Sequence, residues 1–249
     1  MKIRQMSPQE YGFTEVLCGI AHMPIMLYLC GDLPSLSGPV VAIVGSRRPS
    51  KYGREVAYSL AYELATAECV VVSGMALGID AIAHRGCLDA GGTTVAVLGT
   101  AIDRLYPRAN IGLAEEIVRS GGILSEYGPG ATTNSGCFAA RNRIVSGLSD
   151  AVIVVEASSK SGTLITAEYA RSQGRKIYAV PGPVDSVLSA GCNGLIRDGA
   201  RIVTSVAECV AEIAGVNVAP EQPELGLDEM SAPEALAEMT LRELRRPPM

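Results

Sequence analysis

Seven short apolar runs, separated by stretches of helical periodicity, constrain this chain more than any other feature. They cover residues 40–44, 69–73, 94–98, 123–125, 151–155, 176–180 and 202–204. β-branched residues dominate them, and most are continuously apolar, as in strands buried on both faces of a parallel sheet. Between them, residues 54–67 place Val56, Leu60 and Leu64 on one helical face, and residues 79–90 do the same with Ile79, Ile82, Ala83 and Cys87. Such alternation specifies an α/β fold: a doubly wound, mostly parallel sheet with helices on both faces.

The length of 249 residues suits one substantial core. Residues 1–38 read as a short helical lead-in and residues 39–215 as the sheet domain. Ser205 with Glu208 signals the start of a last amphipathic helix. Beyond Gly215 the chain turns to Pro, Glu and Ala, so residues 216–249 read as an acidic, disordered tail. No apolar run is long enough to span a bilayer, and Glu10 and Glu15 stand where a signal peptide would be basic, so a cytoplasmic location is expected.

Seven cysteines, an odd number with no C-x-x-C pair, indicate neither a disulfide framework nor a zinc ribbon. Cys18/His22 and His84/Cys87 have helical spacing, but two ligands do not make a metal site. No metal and no cofactor is expected. The net charge of −5 is unevenly spread. Residues 205–249 hold nine acidic and three basic residues, which leaves 17 acidic against 18 basic in residues 1–204. Local clustering therefore decides the partner.

The clearest cluster follows the first sheet-domain strand. Gly45 and Ser46 end it, and Arg47, Arg48, Lys51 and Arg54 follow with no acidic residue before Glu55. Later strand ends open into similar small turns around Gly74, Gly99 and Gly162-Thr163. Glycine lets a backbone approach a ligand closely, and a following helix favours an anion. These turns belong on one edge of the sheet, where convergent cations point to phosphate. No G-x-G-x-x-G follows a strand, and no Walker-type loop, H-E-x-x-H or G-x-S-x-G is present.

A second stretch, Phe138 to Arg143 (FAARNR), flanks Asn142 with Arg141 and Arg143. Two readings stand. Stacking on bases plus guanidinium contacts to phosphate holds single strands. Alternatively Phe138 is core and the arginines pair with Asp150 or Glu156.

Six ordered stretches, VAIVGSR, SGMALGIDAIAH, FAARNRIVSGLSDAVIVVEA, SGTLITAEYA, GRKIYAVPG and GCNGLIRDGA, resemble the DNA-processing protein A (DprA/Smf) family over about residues 20 to 204. The resemblance implies an extended Rossmann-like domain that binds single-stranded DNA, forms a homodimer and assists loading of a RecA-type recombinase during natural transformation. It implies no enzymatic activity. It places Arg47, Phe138, Arg141 and Arg143 in a basic DNA pocket; Gly45, Ser46, Arg48, Lys51, Gly74, Asn142, Lys160, Gly162 and Thr163 complete the expected site, with Arg175 and Lys176 as further candidates. Arg47 and Arg141 are both expected in loops and partly exposed. Ala139 stands where the family usually has proline, which loosens a turn presenting Arg141. The family's N-terminal helical domain is expected to be missing or vestigial, and its C-terminal winged-helix-like domain replaced by the acidic tail.

A rival reading comes from related folds that hydrolyse nucleotide N-glycosidic bonds with a carboxylate beside a Gly-Thr turn. Glu156, five residues before Ser161-Gly162-Thr163, has that placement, with Glu168 in the next helix. Against it, Glu156 is expected to pair with Arg141 or Arg143 and position their loop.

Overall fold

The alternation of strand and helix appears in the computed structural model, which describes residues 2–35 and 38–215. β1 (Ile3–Met6) and β2 (Leu27–Gly31) bracket a short helical stretch that contains α1 (Gly12–Glu15). The main series follows as β3 (Val40–Gly45), α2 (Lys51–Thr66), β4 (Val70–Ser73), α3 (Ile79–Asp89), β5 (Thr94–Leu98), α4 (Ile111–Ser120) and β6 (Gly122–Ser125). It continues with α5 (Ser135–Gly147), β7 (Ala151–Val155), α6 (Thr163–Ser172), β8 (Lys176–Ala179), α7 (Ala190–Arg197), β9 (Arg201–Ile202) and α8 (Val206–Ala214).

One nine-stranded sheet holds them in the order β1-β2-β6-β5-β4-β3-β7-β8-β9. The seven strands from β6 to β9 run parallel, and β2 and β1 close one side antiparallel. β3 lies at the centre, and its side chains alternate between two cores. Val40, Ala42 and Val44 face a cluster that contains Ile144 and Val145 of α5, Leu148 just after it, and Ala167 and Ala170 of α6. Val41 and Ile43 face the other, with Leu60 and Leu64 of α2 and Ile79 and Ala83 of α3. Feeding two helical layers requires apolar residues at consecutive positions, which is why the strand reads as an unbroken run.

The lead-in departs from its helical expectation. Its helical turns are present, but β1 and β2 join the main sheet, and the segment belongs to the same compact unit as the core. The β2 sequence, LYLCG, is short and follows His22 and Pro24, so its local signal is weak. Pairing decides it: Leu29 sits opposite Leu124 of β6, and both are buried. Ser205 caps α8 by accepting from the Glu208 N–H, as its spacing predicted. The expected acidic tail, residues 216–249, lies outside the described residues.

Candidate nucleic-acid interface

From β3 the chain winds to one side through β4, β5 and β6, then crosses back to place β7 on the other side of β3. That reversal creates a crevice at the carboxyl ends of β3 and β7, the place where open α/β sheets hold ligands. A cleft of about 460 Å³ opens there. Gly45, Ser46, Arg47, Gly74, Phe138, Arg141, Asn142, Gly162 and Thr163 line it, brought together from four separate segments. The Thr163 hydroxyl donates to the Gly45 carbonyl at 3.0 Å and ties the start of α6 to the end of β3.

Other candidates lie elsewhere. Arg48, Lys51 and Lys160 are exposed near the same edge without lining the cleft. Lys51 has a side chain 89% exposed and reaches Glu55 at 3.7 Å. Arg175 and Lys176 sit at the amino end of β8, the edge away from the cleft, and Arg175 donates to the Gly147 carbonyl. Arg143 is buried. It pairs with Glu126 at 2.6 Å and donates to the carbonyls of His22 and Ala140, so it fastens the lead-in to α5.

Arg141 corrects the sequence reading most. The FAARNR stretch is not a loop but the middle of α5, whose N-cap Asn134 accepts from the Gly136 N–H at 2.8 Å. Ala139 is therefore an ordinary helical residue, and no turn depends on proline there. Arg141 is 5% exposed. Pairing of β4 with β5 stops at Ser73 opposite Ala96, and the Arg141 guanidinium enters where the strands diverge. Nη1 donates to the carbonyls of Gly74, at 2.6 Å, and Val97. Gly74 makes the approach possible, because a Cβ there would lie 2.6 Å from Nη2. Neither arginine pairs with Asp150 or Glu156. Asp150 accepts from the Val40 N–H, and the two Glu156 oxygens accept from the Ser50 N–H and hydroxyl.

That arrangement gives Glu156 a structural role. Its carboxylate completes the N-terminus of α2 and lies outside the cleft lining. Gly53 leaves the space the carboxylate occupies. Glu156 adopts φ +54°, in the left-handed region, so the backbone at the end of β7 is strained to hold the clasp. The clasp fixes the start of α2 immediately after the turn that bears Arg47.

Two residues, one lining the cleft and one beside it, escaped sequence reasoning. Asp80, in the first turn of α3, lines the cleft, and its Oδ2 accepts from the N–H groups of Gly74 and Ala76. Its stretch, GMALGID, stood out only for its glycines. Burial holds the Asp80 carboxyl above the usual range, opposed by Arg141 and by those N–H groups. Burial likewise brings Arg141 down to about 10, with Asp80 resisting the fall and Arg47 adding to it. Tyr106 is the other, in a segment between β5 and α4 that carries no periodic signal. It meets Phe138 edge to face, with ring centroids 5.8 Å apart. Phe138 itself is half-buried. The cleft therefore combines an exposed cation, a buried one, a carboxylate that orders the floor and an aromatic wall. A cation and an aromatic face side by side are the groups that hold a phosphate and an attached ring.

The family model for DNA recombination-mediator protein A matches residues 4–214. The chain belongs to that family. The resemblance in the ordered sequence stretches is thereby borne out. The DNA processing protein DprA of Streptococcus pneumoniae is 45% identical over 196 residues, covering 79% of this chain and 69% of that protein. Its crystal structure superposes with a TM-score of 0.79, at 42% identity, over 86% of this chain and 75% of that one. A structure of DNA processing protein A from Helicobacter pylori, described for its single-stranded DNA binding mode, gives a TM-score of 0.77 at 32% identity, over 85% of this chain and 95% of that one. The matched segments cover between 50% and 73% of the curated relatives' lengths. As a DNA recombination-mediator domain, the chain has the family's extended Rossmann-like sheet. Among the described residues no helix is long and apolar enough to cross a membrane.

Proposed function

We propose that this chain binds single-stranded DNA in the cleft at the β3–β7 switch point and acts in the cytoplasm as a recombination mediator. One observation carries the reading: Arg47, Arg141 and Phe138 meet around a single 460 Å³ cleft. The Helicobacter pylori relative, described for its single-stranded DNA binding mode, supports the choice of ligand. In this reading Arg47 neutralises a backbone phosphate, Arg141 supplies positive potential from the floor, and Phe138 stacks on a base. The chain is a binding protein, not an enzyme. It works as a homodimer and hands its strand to a RecA-type recombinase.

The test is a fluorescence titration with single-stranded, duplex and mononucleotide ligands across a salt series. Single strands bind best, and their affinity falls steeply with salt through counterion release. Arg47→Ala lowers the slope of log K against log salt by about one unit. A preference for duplex, or indifference to salt, would overturn the reading. Release of free base or phosphate would replace it with an enzymatic one. Light scattering on the parent chain tests the dimer, and a single-chain mass at working concentration refutes it.

A further inference from the structure

Beside the main cleft lies a shallow recess of about 50 Å³, lined by Leu77, Tyr106 and Pro107 in addition to residues of the cleft itself. Arg47, Phe138 and Arg141 border both spaces, so the recess continues the cleft past the aromatic wall. Leu77 and Tyr106 are 46% and 55% exposed, an unusual amount of apolar surface to leave beside two arginines. Tyr106 lies edge to face against Phe138 at an interplanar angle of 64°. A stacking platform needs an open aromatic ring held in place, and contact with Phe138 and the adjoining Pro107 limits how Tyr106 can move.

We infer that Tyr106 is a second nucleobase platform, which extends the bound strand's track from the cleft across Phe138 into the recess between Arg47 and Pro107. The inference rests on the proposed single-strand binding and deepens it. The two rings touch, with centroids 5.8 Å apart, so bases that stack on them belong to neighbouring nucleotides, one on Phe138 and the next on Tyr106. Arg47, on the border of both spaces, lies where the phosphate between those two bases would pass. Every base has a π-face, so two aromatic platforms with one bridging cation accept any sequence and select for unpaired, extended strands. Duplex DNA keeps its bases stacked on each other and offers neither platform a partner.

The experiment uses the full chain and fluorescent thymidylate oligomers of one length, each with a single abasic site moved along the strand. Parent protein shows two adjacent positions where base loss weakens binding, and Tyr106→Ala shows one. Tyr106→Ala binds the intact oligomer about tenfold more weakly with an unchanged salt slope, and Tyr106→Phe binds like the parent. The melting temperature of each variant stays near the parent's, because the side chain is more than half exposed. Parental affinity in Tyr106→Ala overturns the inference, as does a loss that comes with a lower salt slope or a lower melting temperature. A parent that ignores single strands sinks this inference and the proposed function together. A parent whose binding depends on Arg47 but not on Tyr106 sinks this inference alone.

Discussion

Replacing Arg141 separates a buried structural cation from the exposed Arg47, and the structure fixes what the replacement costs. Truncation to Ala strands two carbonyl acceptors, on Gly74 and Val97, that the buried guanidinium satisfies. Each buried, unsatisfied polar group costs about 1–3 kcal/mol. Asp80 also loses the positive charge that most offsets its burial, which adds to the cost. These contributions overlap, since one guanidinium makes them all, so Arg141→Ala loses about 3–5 kcal/mol. Arg141→Lys keeps the charge, but its ammonium sits on a shorter stem than the Nη1 that reaches both carbonyls, and the variant loses about 1–3 kcal/mol. Arg47→Ala, at an exposed position, stays within about 0.5 kcal/mol of the parent. Urea unfolding followed by circular dichroism reads all three. Equal midpoints for Arg141→Ala and the parent would refute the argument, because they would mean that the side chain is solvated and Gly74 is not vacated for it.

Two further outcomes follow from the same interior. Ser50 and Glu156 act as one clasp on the start of α2, so Glu156→Ala and Ser50→Ala each lose about 1–2 kcal/mol, as for a helix cap. Their double variant loses little more than either alone, and simple additivity in a double-mutant cycle would show that the two residues act separately. His84 is fully buried, and burial together with Arg141 lowers its pKa to about 3. Thr94 donates to the Val71 carbonyl and so accepts from His84 Nδ1. The folded state refuses a proton that the unfolded chain accepts below about 6.5, so stability falls as pH drops from about 6.5 towards 3, by on the order of 1 kcal/mol per pH unit. His84→Asn retains a donor for Thr94 and flattens this acid limb; a limb of unchanged steepness would assign it to other groups.

The sheet was legible because strands buried on both faces must be apolar without interruption, and residues 40–44, 69–73 and 151–155 announce that directly. β2 was not, because an edge strand's identity lies in its partner: Leu29 needs Leu124, nearly a hundred positions away in the chain, to become a strand residue. The candidate cleft was legible to the extent that glycines and cations mark strand ends, which brought Gly45, Arg47, Gly74, Gly162 and Thr163 to its lining. The FAARNR stretch brought Phe138, Arg141 and Asn142 to the cleft, but from a helix rather than a loop. Arginine reads as a surface residue, and only the divergence of β4 from β5 creates a slot in which one is buried. Tyr106 and Asp80 were invisible for opposite reasons, the first for lying in a segment without periodicity, the second for looking like any acidic residue in a helix's first turn.

The reversal at β3 also orders events in time. As the chain emerges during synthesis, β3 can gain β4 on one flank early, but its other flank waits more than a hundred residues for β7. Throughout that interval a central, wholly apolar strand has a bare edge, the kind of surface that recruits other chains into aggregates. The docking of β7 covers this edge and brings the Gly162-Thr163 turn against Gly45 in the same step. A chain halted before residue 151 would be sticky and unable to bind. A chain that has passed β8 would be neither, so the passage from hazard to competence is a single late event.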